Sequence, residues 1–145
     1  MNDQIVEQHR GDLTLSTDRA RLDVDTILAW LLASHWGASM TREKLGRAIE
    51  NSVCIAIYRG EEQLCFARAV TDLSTYAYLT DVIVAEPARG RGLGKWMMEA
   101  ILAHPDLQGL RRIALWTRDA RTLYEQFGFT TVTSASTYME LRTQR

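Results

Sequence analysis

An apolar run at residues 79–85 leads, after a short turn, into Arg89-Gly90-Arg91-Gly92-Leu93-Gly94, and that hexapeptide opens a segment, 93–102, whose apolar residues recur at helical spacing. A strand that passes through a glycine loop straight into a helix commits the chain to a fold in which helices pack on a sheet. It also builds an anion cradle. Three glycines within five residues let the backbone turn tightly and present bare N–H groups, and the following helix aims the positive end of its dipole at the same point. The loop is expected to hold a phosphate or pyrophosphate.

Spacing narrows the ligand. A P-loop of the form G-x-x-x-x-G-K-S/T can end at Gly94-Lys95, but its first glycine then falls on Arg89 and its magnesium-binding hydroxyl on Trp96. A dinucleotide fingerprint needs a third glycine where Lys95 stands, an early place in a βαβ unit and an acid about 20 residues further on. Both templates fail.

The pattern that fits is Q/R-x-x-G-x-G/A, and with it the chain resembles the GNAT superfamily of acetyl-CoA-dependent N-acetyltransferases. A second segment, Ala120-Arg121-Thr122-Leu123-Tyr124-Glu125-Gln126-Phe127-Gly128-Phe129, is similar to the family's A-x-x-L-Y-x-x-x-G-F stretch and lies in the right order. The two motifs cover residues 79–129; the rest agrees in element order. The resemblance implies a mixed, mostly antiparallel central sheet with helices on both faces and a splayed strand pair at the coenzyme A site. It also implies that the loop, Arg89 to Lys95 by way of Gly90, Arg91, Gly92, Leu93 and Gly94, binds the coenzyme A pyrophosphate, and that Val82, Ile83 and Val84 offer backbone to the pantetheine arm.

The resemblance extends to the chemistry. Tyr124 falls where the family places a phenol that protonates the departing sulfur; packing of the helix onto the sheet is its other reading. Thr117 stands where many relatives carry an asparagine that contacts the cofactor, and its hydroxyl replaces that amide only in part. Asp81 lies where some relatives carry an acid near the acceptor; a strand carboxylate satisfied by backbone or an arginine reads equally well. The turn containing His35 and Trp36 either forms one wall of the acceptor groove, by stacking or cation–π contact, or caps and packs a helix end. The acceptor implied is a primary amine on a small molecule, an amino acid derivative or a peptide, and homodimerisation is common in the family. A coenzyme A sensor that transfers nothing is the competing function.

The remaining features set bounds. At 145 residues the chain suits a single domain, 1–145. With 17 basic and 18 acidic residues the net charge is -1, so no global field favours nucleic acid or an anionic membrane. Cys54 and Cys65 sit in apolar runs with no second Cys or His at metal-ligand spacing and read as core thiols, with no metal. The polar start and the lack of a long apolar segment point to a soluble, cytoplasmic protein. No Ser-His-Asp or Cys-His ordering emerges, which disfavours covalent catalysis.

Patterning predicts strands at 13–16, 53–58, 64–70, 76–85 and 112–116, with two more near 129–132 and 137–141. Helices are expected over 22–33, with Leu22, Ile27, Leu28, Leu31 and Leu32 on one stripe and Asp23 or Asp25 as cap; over 41–49; from Gly92 to the stop at Pro105, burying Leu93, Met97, Ile101 and Leu102; and from an Asp119 cap through Phe127, ended by Gly128.

Overall fold

A computed structural model describes residues 4–34, 37, 39–133 and 135–143. Its six strands lie in chain order across one sheet: β1 (Glu7–Arg10), β2 (Leu13–Ser16), β3 (Ser52–Arg59), β4 (Glu62–Thr71), β5 (Tyr76–Val84) and β6 (Arg112–Leu115). Neighbours from β1 to β5 are antiparallel; two α-helices lie in the connection from β2 to β3, and short turns make the other links, with Gly11 and Gly60, both at φ +59, in the left-handed positions of two of them. Only β5 and β6 run parallel, and the crossover between them carries α3 (Leu93–Ala103).

Alternation along the strands sends side chains to two cores. Ile55, Ile57, Cys65, Ala67 and Leu79 face α3, which buries Leu93, Trp96, Met97, Met98 and Ile101 against them. Cys54 and Phe66 face the other way, under α1 (Val24–Ala33) and α2 (Arg42–Glu50), which contribute Ile27, Leu31, Leu45 and Ile49. Helices thus cover both faces, as the GNAT-like reading requires. Asp23 caps α1 by accepting from the Thr26 N–H at 3.1 Å, and Thr41 caps α2 by accepting from the Lys44 N–H at 3.2 Å. Leu32, expected on the α1 stripe, is instead 48% exposed, because the contact surface of α1 is narrow and centres on Ile27 and Leu31. Both thiols are free and buried, and burial pushes each up to about 12. Among the described residues no helix is long and apolar enough to cross a membrane, and no cluster of three or more His, Cys, Asp or Glu is placed to hold a metal.

Three readings are corrected. The strands expected near 129–132 and 137–141 do not form; residues 135–137 make a single 3-10 turn, and Val132, Tyr138, Met139 and Leu141 are exposed. Alternation alone does not make a strand, and these residues form no ladder with the four-residue β6. A strand the patterning missed, β1, is polar throughout and is held from outside: the Trp96 indole N–H donates to Gln8 at 2.8 Å, and the Arg10 guanidinium lies 4.5 Å from the centre of the Trp96 ring. Asp119 caps nothing; the Thr117 hydroxyl accepts from the Ala120 N–H at 2.9 Å and opens the turn into α4 (Arg121–Glu125).

At the end of α1 the Ser34 hydroxyl donates to the Leu31 carbonyl at 2.6 Å and accepts from the Gly37 N–H at 3.2 Å. A methyl group on Gly37 would lie 2.6 Å from the Leu31 carbonyl oxygen. Gly37→Ala is therefore expected to cost about 1–3 kcal/mol by forced overpacking, read as a drop in denaturant midpoint. An unchanged midpoint would show that Gly37 and Leu31 have room to move apart.

Candidate active site

Helices α1, α2 and α3 differ at their N-termini. Both α1 and α2 have a side-chain cap and an acid in the first turn, Asp25 and Glu43; α3 has neither. Its first intrahelical bond runs from the Trp96 N–H to the Gly92 carbonyl at 3.0 Å. The N–H groups of Leu93, Gly94 and Lys95 precede that bond and have no acceptor within the helix. Gly90 at φ +81 and Gly92 at φ +74 hold the backbone in the left-handed conformation that delivers it to this point. Arg89, Arg91 and Lys95 are exposed around it. The Arg89 guanidinium also donates to the Val84 carbonyl at 3.1 Å, tying the loop to the end of β5. Bare amides, a helix dipole and three cations in one place suit a pyrophosphate.

Beside this loop the sheet opens. β5 and β6 pair only from Tyr76 with Arg112 to Leu79 with Leu115, whereas β5 continues to Val84. The edge of β5 beyond Leu79 has no ladder partner on that side, and this is the splayed pair. Val82, Ile83 and Val84 are half-buried along it.

Tyr124 approaches from the far side on α4. It is buried, with its ring edge-on to Phe129 at 5.9 Å between centroids. Its neighbour Leu123 closes the gap to the glycine loop: a methyl group on Gly94 would stand 3.7 Å from Leu123 Cδ2 and 3.9 Å from Val84 Cγ2. Glycine loop, β5 end and α4 therefore meet at one point. Burial raises the Tyr124 phenol above its usual value, and the Asp119 carboxylate adds to the shift. Thr117 sits just ahead of α4 with its hydroxyl oxygen occupied by the Ala120 N–H. A cleft of about 420 Å³ runs along the α1 side of the loop, past Trp30, Pro87 and Arg91. His35 and Trp36 lie outside the described residues.

Asp81 has a different setting from the rest. It is 6% exposed, has φ +53, and accepts from Arg68 Nε at 2.6 Å. The left-handed region costs an ordinary side chain about 1–2 kcal/mol, and Asp and Asn are the residues after glycine that most often enter it. Arg68 also donates from Nη1 to the Ser52 hydroxyl at 3.1 Å, and that hydroxyl donates to the Ala48 carbonyl at 2.7 Å near the end of α2. Sequence reasoning passed over Arg68. The available signal was a pair of opposite charges, Arg68 and Asp81, each interrupting an apolar run on adjacent strands.

Residues 50–131 match the acetyltransferase (GNAT) domain family. A presumed acetyltransferase from Gibberella zeae is 33% identical over an alignment covering 79% of this chain and 77% of that protein. The crystal structure of a presumed GNAT-family acetyltransferase from Xanthomonas campestris pv. campestris superposes with a TM-score of 0.87 at 39% identity, covering 94% of this chain and 95% of that one. The structure of a Clostridium acetobutylicum protein with acetyl-CoA shares the fold, with a TM-score of 0.65 at 14% identity over 96% of each chain. The uncapped helix, the splayed strands and both motifs all fall inside the matched span, and the chain belongs to the GNAT superfamily, a family of acetyl-transferring enzymes that use acetyl-CoA as co-substrate.

Proposed function

We propose that this protein transfers an acetyl group from acetyl-CoA directly to a primary amine, on a small amine, an amino acid derivative or a peptide, in the cytoplasm, with Tyr124 as general acid. The observation that carries the reading is the meeting of the uncapped α3 terminus, the unpaired edge of β5 and the buried Tyr124. Backbone N–H groups at Gly92, Leu93, Gly94 and Lys95, with Arg89 and Arg91, hold the pyrophosphate. Gly90 shapes the approach, and Val82, Ile83 and Val84 hold the pantetheine arm by backbone bonds. Thr117 makes the lesser contact that its single hydroxyl allows.

When bound, acetyl-CoA supplies an activated acyl carbon as a thioester. The chain supplies alignment and a proton. As the amine nitrogen bonds to the acyl carbon and the carbon–sulfur bond breaks, Tyr124 gives its proton to the sulfur and regains one from solvent, to which the amine loses its own. Direct attack is supported by the thiols, since a Cys54 or Cys65 pushed up to about 12 is a poor nucleophile at neutral pH. A homodimer formed through the C-terminal segment is also proposed, supported by the exposed Val132, Met139 and Leu141.

Two measurements test this reading. Gly92→Ala forces a side chain into a left-handed position and is expected to weaken coenzyme A binding about tenfold by calorimetry, the equivalent of roughly 1.4 kcal/mol. Gly94→Ala makes only ordinary contacts and should retain the wild-type affinity; unchanged affinity in Gly92→Ala would remove the loop from the coenzyme site. For Tyr124→Phe, kcat on a good amine is expected to fall about 10²- to 10⁴-fold with little change in the KM for acetyl-CoA. The acid works in its protonated form and its pKa is raised, so wild-type activity should show no falling limb below about pH 10. A falling limb near neutrality would assign the proton to another group.

A further inference from the structure

Strand β5 changes parity halfway along. Opposite β4, Phe66 faces Ile83 and Arg68 faces Thr80, so the single residue Ala67 is opposed by two, Asp81 and Val82. This is a bulge in β5, with Asp81 at φ +53 as its left-handed residue. Before it, Ala77 and Leu79 face the α3 core; after it, Val82 and Val84 do, while Ile83 joins the core under α1 and α2. An uninterrupted strand would send residues 82 and 84 to the opposite face. Val84 would then leave its place beside Gly94, where it backs the first turn of α3.

The bulge is locked by a side chain that lies on the neighbouring strand. Arg68 has a side chain only 13% exposed and spans from Asp81 on β5 to Ser52 on β3, where the Ser52 hydroxyl continues to the α2 carbonyl of Ala48. We infer that Arg68 is a positioning residue for coenzyme A: through Asp81 it fixes the bulge that turns Val82 and Val84 toward α3 and so seats the coenzyme strand and the glycine loop. Asp81 then serves geometry rather than proton transfer. This inference rests on the coenzyme site proposed above.

The test separates conformation from charge by removing the ion pair in two ways. Arg68→Met/Asp81→Gly and Arg68→Met/Asp81→Ala both lack the pair and leave no buried charge unpaired, yet only glycine enters the left-handed region freely. The glycine double variant is expected to keep its coenzyme A Kd, by calorimetry, and its KM for acetyl-CoA within about threefold of wild type. The alanine double variant should lose about tenfold in both, with the KM for the amine unchanged in each; these changes are within the range of coupling seen inside one ion-pair network. If the alanine variant does not fold, the glycine variant alone decides. Loss of coenzyme A binding in the glycine variant, equal affinities in the two variants, or a large fall in kcat common to both with KM unaltered would overturn the assignment. Wild-type protein that fails to bind coenzyme A would overturn the proposed function together with it.

Discussion

The ion pair between Arg68 and Asp81 governs more of this fold than its two residues suggest. A buried charged pair adds little net stability over a well-packed apolar pair, but losing one partner costs about 3–5 kcal/mol, so such a pair acts mainly on conformation. Here the conformation is a one-residue offset in β5. Because side chains alternate, that offset decides which face every later residue of the strand addresses, and β5 is the strand that leads into the glycine loop. The two cores and the α3 terminus are consistent with only one of the two parities.

The helix termini divide along the same line. Where α1 and α2 begin, carboxylate and hydroxyl side chains satisfy the backbone, and the Asp23 carboxyl is held below its usual value by its bonds to Thr26. Where α3 begins, glycines and cations surround the buried Leu93 and no side chain caps the backbone. A helix that had merely to fold would be capped; one that must receive an anion leaves its amides to the ligand. The difference between the termini lies in local sequence and needs no tertiary information.

That contrast explains which parts were legible in the sequence. The glycine loop is visible because its left-handed positions, Gly90 and Gly92, call for glycine, and the Tyr124 segment is visible through its resemblance to a family motif. Strands β3 and β4 are visible as apolar runs buried on both faces, β5 through its alternation, and helices α1, α2 and α3 because burying one face imposes a period. β1 is invisible for the opposite reason: Glu7-Gln8-His9-Arg10 buries no face of its own and is fixed by Trp96, 88 positions from Gln8. The C-terminal segment carries a strand-like alternation but pairs with no strand among the described residues. At Thr117 and Asp119 the two neighbours offer similar capping chemistry, and only the turn geometry selects the hydroxyl. Arg68 escaped because its partner is set by the bulge register, which a period-two pattern does not encode.

The attachment of β1 has a mechanical meaning. This edge strand is fastened along two lines, its ladder with β2 and its contacts with Trp96, and Arg10 adds an ion pair to Glu99 at 3.1 Å on the same helix. Trp96 follows directly on Lys95 of the glycine loop. A load applied at the N-terminus therefore reaches the first turn of α3 without passing through the four strands that lie between β1 and the splay, and the outermost strand becomes a lever on the mouth of the site.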